Sequence, residues 1–147
     1  MSNFSVKTLS ALLSNAKIIP AVNQVEAHPC LPQNELMKFC KDWGILITAF
    51  SPVGKHKYAR HKSLQDIAQQ RGVTAAQVLL SWGVQRGMAV IPKTEHEERL
   101  GQNFLVGLKS SHGNGMILLN KPLILVDPID EGRNAYFGYY SHGTWDA

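Results

Sequence analysis

The chain has 147 residues, of which 44% are hydrophobic and 18% charged, a composition typical of a globular domain. This length predicts one domain. The net charge is +4, but lysine and arginine are dispersed along the chain, which argues against a nucleic-acid-binding surface. No apolar run is long enough to span a membrane, and Met1–Phe4 lacks the pattern of a secretory signal. The two cysteines do not form a disulfide scaffold, so we expect a cytoplasmic protein.

The first predicted elements are a helix, a short strand and a second helix. Apolar residues recur at helical spacing over residues 5–16, and a strand-like run follows over residues 21–25. Pro32 suits the first turn of the next helix, and Gly44 suits its left-handed C-terminal cap. The apolar face of this helix has members at i, i+3, i+4 and i+7, which are Leu36, Phe39, Cys40 and Trp43.

A second strand and two further helices are predicted next. Residues 45–50 form a nearly continuous apolar run, as expected of a strand that is buried on both faces. A helix around Leu64 and Ile67 ends at Gly72. Thr74 and Gln77 have the spacing of a capping box, which predicts the start of another helix that ends near Gly87.

The last predicted elements are a short strand at residues 88–91 and a helix. Thr94 and Glu97 have the spacing of a second capping box, so we expect the helix to begin there. Residues 116–120 are compatible with a helical turn, and no regular structure is predicted for residues 127–147. The alternation of strands with helices predicts a parallel sheet with right-handed crossovers.

Ligands bind at the carboxyl ends of strands in parallel α/β folds, which makes three places candidates. Lys93 and Thr94 follow the third strand, and Arg99 lies in the second turn of the helix that comes next. A helix N-terminus flanked by cations suits a phosphate. The alternative is that Thr94 is only a cap and Arg99 a solvated side chain. The basic stretch 55–62 is likewise either a solvated loop or a loop that attracts an anion.

Several motifs resemble those of the aldo-keto reductases over residues 2–107. Ile91-Pro92-Lys93-Thr94, then Arg99, then Gln102-Asn103 and then Val106 are similar to the C-terminal signature of that family. Shorter similarities are Ser2-Asn3-Phe4, Asn23-Gln24-Val25-Glu26 with His28-Pro29, Thr48–Gly54, and Gln77–Trp82 with Gln85-Arg86-Gly87.

The resemblance implies a (β/α)8 TIM barrel that binds NADP(H), of which this chain carries the C-terminal half with parallel strands and crossover helices. Ser2, Asn3 and Gln24 would hydrogen-bond the nicotinamide carboxamide. Phe50 stands where the family usually has a tyrosine that stacks on the nicotinamide ring. The resemblance assigns the remaining contacts to the pyrophosphate (Ser51 and Val53), the 2′-phosphate (Lys93, Thr94 and Arg99) and the adenine (Gln102 and Asn103). The family often has an acidic residue in place of Gln102.

The catalytic Asp, Tyr, Lys and His of the family belong to its first four strands, and no residue of this chain matches them. Tyr58, Tyr136, Tyr139 and Tyr140 lie in other segments, and the histidines lack metal-ligand spacing. His28 resembles a loop residue of the family with a structural role. We therefore predict that the chain alone is inactive, and that its complete form reduces a small carbonyl substrate or oxidises an alcohol.

Two alternatives stay open: a non-catalytic fragment that binds a nucleotide or associates with another barrel, and a purely structural interaction domain. A barrel of this kind needs about 250 residues. Residues 1–107 are therefore expected to form a half-barrel with an open edge, which favours self-association. Residues 108–147 form a divergent tail.

Overall fold

The computed structural model describes residues 1–54 and 57–106. The order of helices and strands is the predicted one. The elements are α1 (Val6–Leu13), β1 (Val22–Glu26), α2 (Asn34–Asp42), β2 (Leu46–Phe50), α3 (Lys62–Arg71), α4 (Ala75–Gln85), β3 (Ala89–Val90) and α5 (Glu97–Leu105).

The three strands form one parallel sheet in the order β1-β2-β3. In its register Gln24 is paired with Thr48, and Glu26 with Phe50. Thr48 is then paired with Ala89 on the other side of β2. Each connection between neighbouring strands contains at least one helix, as parallel strands require. All three strands consequently end at the same edge of the sheet.

Burial alternates along β1 and β2, so the two faces of the sheet differ. Val25, Ile47 and Ala49 are at most 4% exposed and face the helices. The opposite face, here called the inner face, carries Gln24, Thr48 and Phe50, which are half-buried. Leu46 on this face is 45% exposed. The prediction that residues 45–50 are buried on both faces is therefore wrong, because among the described residues no layer covers the inner face.

The core lies between the sheet and its helices, with a second cluster between two helices. The first cluster joins the sheet to Leu9 of α1, Leu36 and Cys40 of α2, and Trp82 of α4. The second cluster packs α3 against α4 through residues that include Leu64, Ile67, Val78 and Leu79. Helix α4 belongs to both, which explains why its central residues are almost fully buried.

The ends of α3 and α4 follow the sequence signals. The Thr74 hydroxyl accepts from the backbone N–H of Gln77, and the Gln77 side chain accepts from the backbone N–H of Thr74, which is the predicted capping box. Gly72 closes α3 with φ of +64°, a left-handed conformation that suits glycine. Gly44 has φ of +67° just after α2.

Two helix starts differ from the prediction. Helix α2 begins at Asn34, after Gln33 in a left-handed conformation, so Pro32 precedes the helix instead of standing in its first turn. Helix α5 begins at Glu97 with His96 as N-cap, and no side chain caps it. The Thr94 hydroxyl accepts from the backbone N–H of His96 in a local turn, so the predicted second capping box is wrong.

In the described part of the chain, no helix is long and apolar enough to cross a membrane. The expected boundary at residue 107 and the expectations for residues 116–120, 127–147 and the tail 108–147 lie outside the described residues.

Candidate functional site

The N-terminal segment runs beside β1 and brings three predicted site residues together. Ser2 forms an isolated parallel bridge with Gln24. The Ser2 hydroxyl and the Asn3 backbone N–H both donate to the Gln24 carbonyl oxygen, each at 2.9 Å. Gln24 in turn donates its backbone N–H to the carbonyl of Met1 at 2.9 Å. Ser2, Asn3 and Gln24 therefore meet at one corner of the sheet.

Asn23 holds this corner in place, a role that the sequence did not reveal. Its side chain is fully buried on the helix-facing side of β1. Its amide nitrogen donates to the Phe4 carbonyl at 2.9 Å, and its amide oxygen accepts from the Phe4 N–H at 3.3 Å. A polar residue between apolar ones on the buried face of a strand is the available sequence signal, since a buried amide needs partners.

Two of the predicted site residues have a strained backbone. Asn3 has φ of +61° and Ser51 has φ of +48°. This left-handed region is uncommon for residues other than glycine and is found frequently at ligand-binding sites. Ser51 follows Phe50 at the end of β2, and its carbonyl accepts from the Gly54 N–H at 2.8 Å. The chain thus turns sharply at the edge where the nicotinamide and pyrophosphate contacts are predicted.

A cleft of about 270 Å³ lies between the end of β3, helix α5 and the loop after β2. Its lining includes five of the predicted cofactor residues: Val53, Lys93, Thr94, Arg99 and Asn103. Lys93 and Arg99 therefore face one cavity from the two sides of the turn that precedes α5. The cavity is smaller than the roughly 300–1,000 Å³ of pockets that enclose a whole drug-sized ligand, so its size suits one end of a dinucleotide.

The charge at this cleft is mixed. The Lys93 ammonium lies 3.0 Å from a carboxylate oxygen of Glu95, and both side chains are more than 80% exposed. Glu95 lines the cleft and also a larger, more open depression of about 690 Å³ beside it. That depression is lined in addition by His96, Glu97, Glu98 and Gly101. Its carboxylates would repel a phosphate, so we place the candidate anion site in the smaller cleft.

Gln102 is not part of the cleft lining. Its carbonyl accepts from the Gln77 side chain at 3.1 Å, which ties α5 to the start of α4. The described contacts thus give Gln102 a role in positioning the helix that carries Arg99 and Asn103.

A second polar group lies just beyond the end of β1. The His28 imidazole is buried, and its Nε2 is 3.5 Å from a carboxylate oxygen of Glu26. Its ring centroid lies 5.3 Å from that of Tyr58, whose ring is in turn 5.2 Å from the Lys57 ammonium. Burial lowers the pKa of His28, while Glu26 acts in the opposite direction and Lys57 lowers the pKa further. A buried neutral imidazole suits the structural role expected for His28.

Among the residues that the structure describes, no cluster of His, Cys, Asp or Glu has the geometry to hold a metal ion. Tyr58 lies in the loop between β2 and α3. Tyr136, Tyr139 and Tyr140 are outside the described residues.

Comparison with known proteins gives the family. Residues 1–111 match the Aldo/keto reductase family. Aldehyde reductase YPR1 of Saccharomyces cerevisiae is 42% identical over 110 residues, covering 72% of this chain and 35% of the relative. Glycerol 2-dehydrogenase (NADP(+)) of Hypocrea jecorina is 41% identical over 112 residues, covering 71% of this chain and 35% of the relative. A Gox0644 variant solved in complex with NADPH is 33% identical with a TM-score of 0.68, covering 71% of this chain and 39% of that one.

The chain belongs to the aldo/keto reductase family. Its parallel sheet with crossover helices is part of a (β/α)8 barrel, as its structural neighbours show. The chain spans about a third of the length of the curated relatives that it matches.

Proposed function

We propose that residues 1–107 form the cofactor-binding half of an NADP(H)-dependent aldo-keto reductase whose substrate is a small carbonyl compound or alcohol. The single observation that carries the proposal is the cleft that gathers Val53, Lys93, Thr94, Arg99 and Asn103. These residues come from two loops and one helix. All five had been assigned to the cofactor from the family resemblance, without reference to the structure.

The cations and hydrogen-bonding groups in the cleft support its assignment to the 2′-phosphate of the cofactor. Lys93 and Arg99 are cations on its wall, and the Thr94 hydroxyl and Asn103 amide are hydrogen-bonding groups there. Arginine is suited to phosphate because its planar guanidinium offers two parallel donors. We therefore assign Lys93 and Arg99 to the 2′-phosphate, Asn103 to the adenine side and Val53 to the neighbouring pyrophosphate.

The nicotinamide would lie at the other end of the same edge. Ser2, Asn3 and Gln24 offer hydroxyl and amide groups at one corner, which suits a carboxamide. Phe50 lies at the end of the neighbouring strand, paired with Glu26, and supplies an aromatic face but no hydroxyl. Ser51 begins the turn that would follow the pyrophosphate. When bound, the cofactor supplies the hydride, and these residues would orient its reacting ring.

Arg99→Ala tests the assignment in a fluorescence titration of the full chain with NADPH and with NADH. A charge-assisted contact contributes about 1.5–3 kcal/mol, so NADPH binding should weaken by roughly tenfold or more. NADH, which lacks the 2′-phosphate, should lose much less affinity. Equal losses for both nucleotides would refute the role of Arg99.

Lys41→Ala is the matched control, because it removes one positive charge from the last turn of α2, near the opposite edge of the sheet. It should leave both affinities within about twofold of the original protein, because charges beyond a Debye length of about 10 Å are screened.

A second candidate is nucleotide binding without catalysis. The cleft that gathers Lys93, Thr94 and Arg99 supports this candidate equally, because nucleotide binding needs only the cofactor residues. NADPH binding without turnover of an aldehyde by the full chain would support this candidate. Turnover that depends on an added or genetically linked N-terminal barrel half would support the enzyme instead.

A further inference from the structure

We infer that Glu95 is a specificity-determining residue that narrows the preference of this cleft for NADPH over NADH. The inference rests on the proposed function, because it concerns the ligand of the same cleft. Its basis is the contact of 3.0 Å between the Glu95 carboxylate and the Lys93 ammonium.

Glu95 forms an ion pair with Lys93, the cation that we assign to the 2′-phosphate. Both side chains are highly exposed, so the ion pair is weak and can open when a ligand arrives. An incoming phosphate must nevertheless displace the carboxylate, and it then lies close to a second negative charge. Glu95 also lines the cleft, so its charge stays near the ligand after the ion pair has opened. Both effects act against NADPH.

The same carboxylate acts differently on NADH. A ribose that carries a free 2′-hydroxyl donates hydrogen bonds, and an acidic side chain is the usual acceptor where proteins bind NAD. NADH has no 2′-phosphate to compete with Glu95 for Lys93, so the ion pair can persist. Lys93 and Arg99 favour NADPH, whereas Glu95 favours NADH. We therefore expect the cleft to accept both nucleotides.

The neighbouring acidic residues provide an internal comparison. Glu97 and Glu98 stand in the first turn of α5 and line the larger depression, and they do not line the cleft. Glu98 carries the same charge as Glu95 and follows it closely in sequence. A difference between Glu95 and Glu98 variants would therefore report the contact with Lys93 and not the general charge of the region.

The experiment measures the affinities of NADPH and NADH for the full chain and for the variants Glu95→Gln and Glu98→Gln at low and high salt. Glu95→Gln should bind NADPH about fivefold more tightly, while its NADH affinity stays equal or falls. Glu98→Gln should change either affinity by less than about twofold. The gain in Glu95→Gln should shrink as salt screens the exposed charges.

The outcomes separate this inference from the proposed function. If the chain binds nucleotide but Glu95→Gln leaves NADPH affinity unchanged, or changes both affinities equally, the role of Glu95 is wrong and the cofactor site stands. An equal gain in Glu98→Gln would also overturn it. If neither nucleotide binds to the chain or to any variant, the proposed function is wrong and this inference falls with it.

Discussion

Asn23 shows how a buried side chain prepares a site that it does not face. Its amide holds both backbone groups of Phe4, and the segment just before Phe4 carries Ser2 and Asn3. Neighbouring residues of β1 point to opposite faces, so Asn23 lies in the core while Gln24 lies on the inner face. The strand therefore anchors the N-terminal segment with one residue and presents the site with the next.

Asn23→Ala should destabilise the protein by about 1–3 kcal/mol, because the Phe4 N–H and carbonyl lose their partner in a partly buried place. Urea unfolding followed by circular dichroism measures the change. Asn15→Ala, in the exposed turn after α1, should cost less than about 0.5 kcal/mol. Equal effects of the two substitutions would contradict the role given to Asn23.

His28 should make the stability of the fold depend on pH. Burial lowers its folded-state pKa below the ordinary value of 6.5, so the unfolded chain takes up a proton first as the pH falls. The free energy of unfolding should therefore decrease as the pH drops below about 6.5. Besides Glu26 and Lys57, Tyr58 faces this imidazole.

Urea midpoints between pH 7.5 and 5.5 test this expectation. In His28→Gln the decrease at low pH should be smaller than in the original chain. His96→Gln, at an exposed position beside α5, is the comparison variant. A steeper decrease in His28→Gln would show that the sign is wrong.

Single residues were predictable where the signal is local or where a family motif names them. The Thr74–Gln77 capping box needs only its spacing and was confirmed. The start of α5 was misplaced because the Thr94 hydroxyl is used by a turn two residues long. The left-handed Asn3 and the pairing of Lys93 with Glu95 depend on the path of the chain, which spacing does not encode.

Among the elements, α4 has the most constrained position, because it contributes to both core clusters. It packs on both the sheet and α3, and Gly83 allows it to approach β3. A Cβ atom at Gly83 would lie 2.8 Å from a methyl carbon of Val90, a branched side chain with few alternative rotamers. The sequence showed a glycine inside a helix but not the strand behind it.

Gly83→Ala should therefore destabilise the protein by about 1–3 kcal/mol through overpacking, although alanine is the better helix former. Gly101→Ala is the matched control, since Gly101 lies in α5 with open space around its Cα. That substitution should be neutral or stabilise by up to about 1 kcal/mol. Thermal unfolding of both variants gives the comparison, and stabilisation by Gly83→Ala would contradict the close approach.

For the whole molecule, the inner face of the sheet determines the expected behaviour in solution. Leu46 is 45% exposed and Ile91, just after β3, is 46% exposed, and no described residue covers this face. Exposed apolar surface at an open sheet promotes association. We expect the chain to self-associate in a concentration-dependent manner, or to bind the complementary half of a barrel.

Sedimentation velocity over a range of concentrations tests this expectation. Leu46→Lys should shift the distribution toward the monomer. Lys38→Ala, on α2, should leave the distribution unchanged. A monomer that unfolds cooperatively at every concentration would refute self-association.

The order of the elements and the parallel sheet were predictable because periodicity and capping are repeated along the chain. The exposure of the inner face could not be predicted from the apolar run 45–50. An apolar strand has the same sequence pattern whether its second face is buried or exposed to solvent. What the strand meets is decided by other parts of the barrel and not by its own residues.

The alternation along β1 and β2 also constrains how this sequence can evolve. One set of alternate residues builds the core and the other builds the candidate ligand surface, within strands of five residues each. Deletion of one residue within β2 would reverse the faces of the residues that follow it, so that Phe50 would point toward the helices and Ala49 toward the ligand surface. We therefore expect these strands to tolerate substitutions at this edge of the sheet but not insertions or deletions.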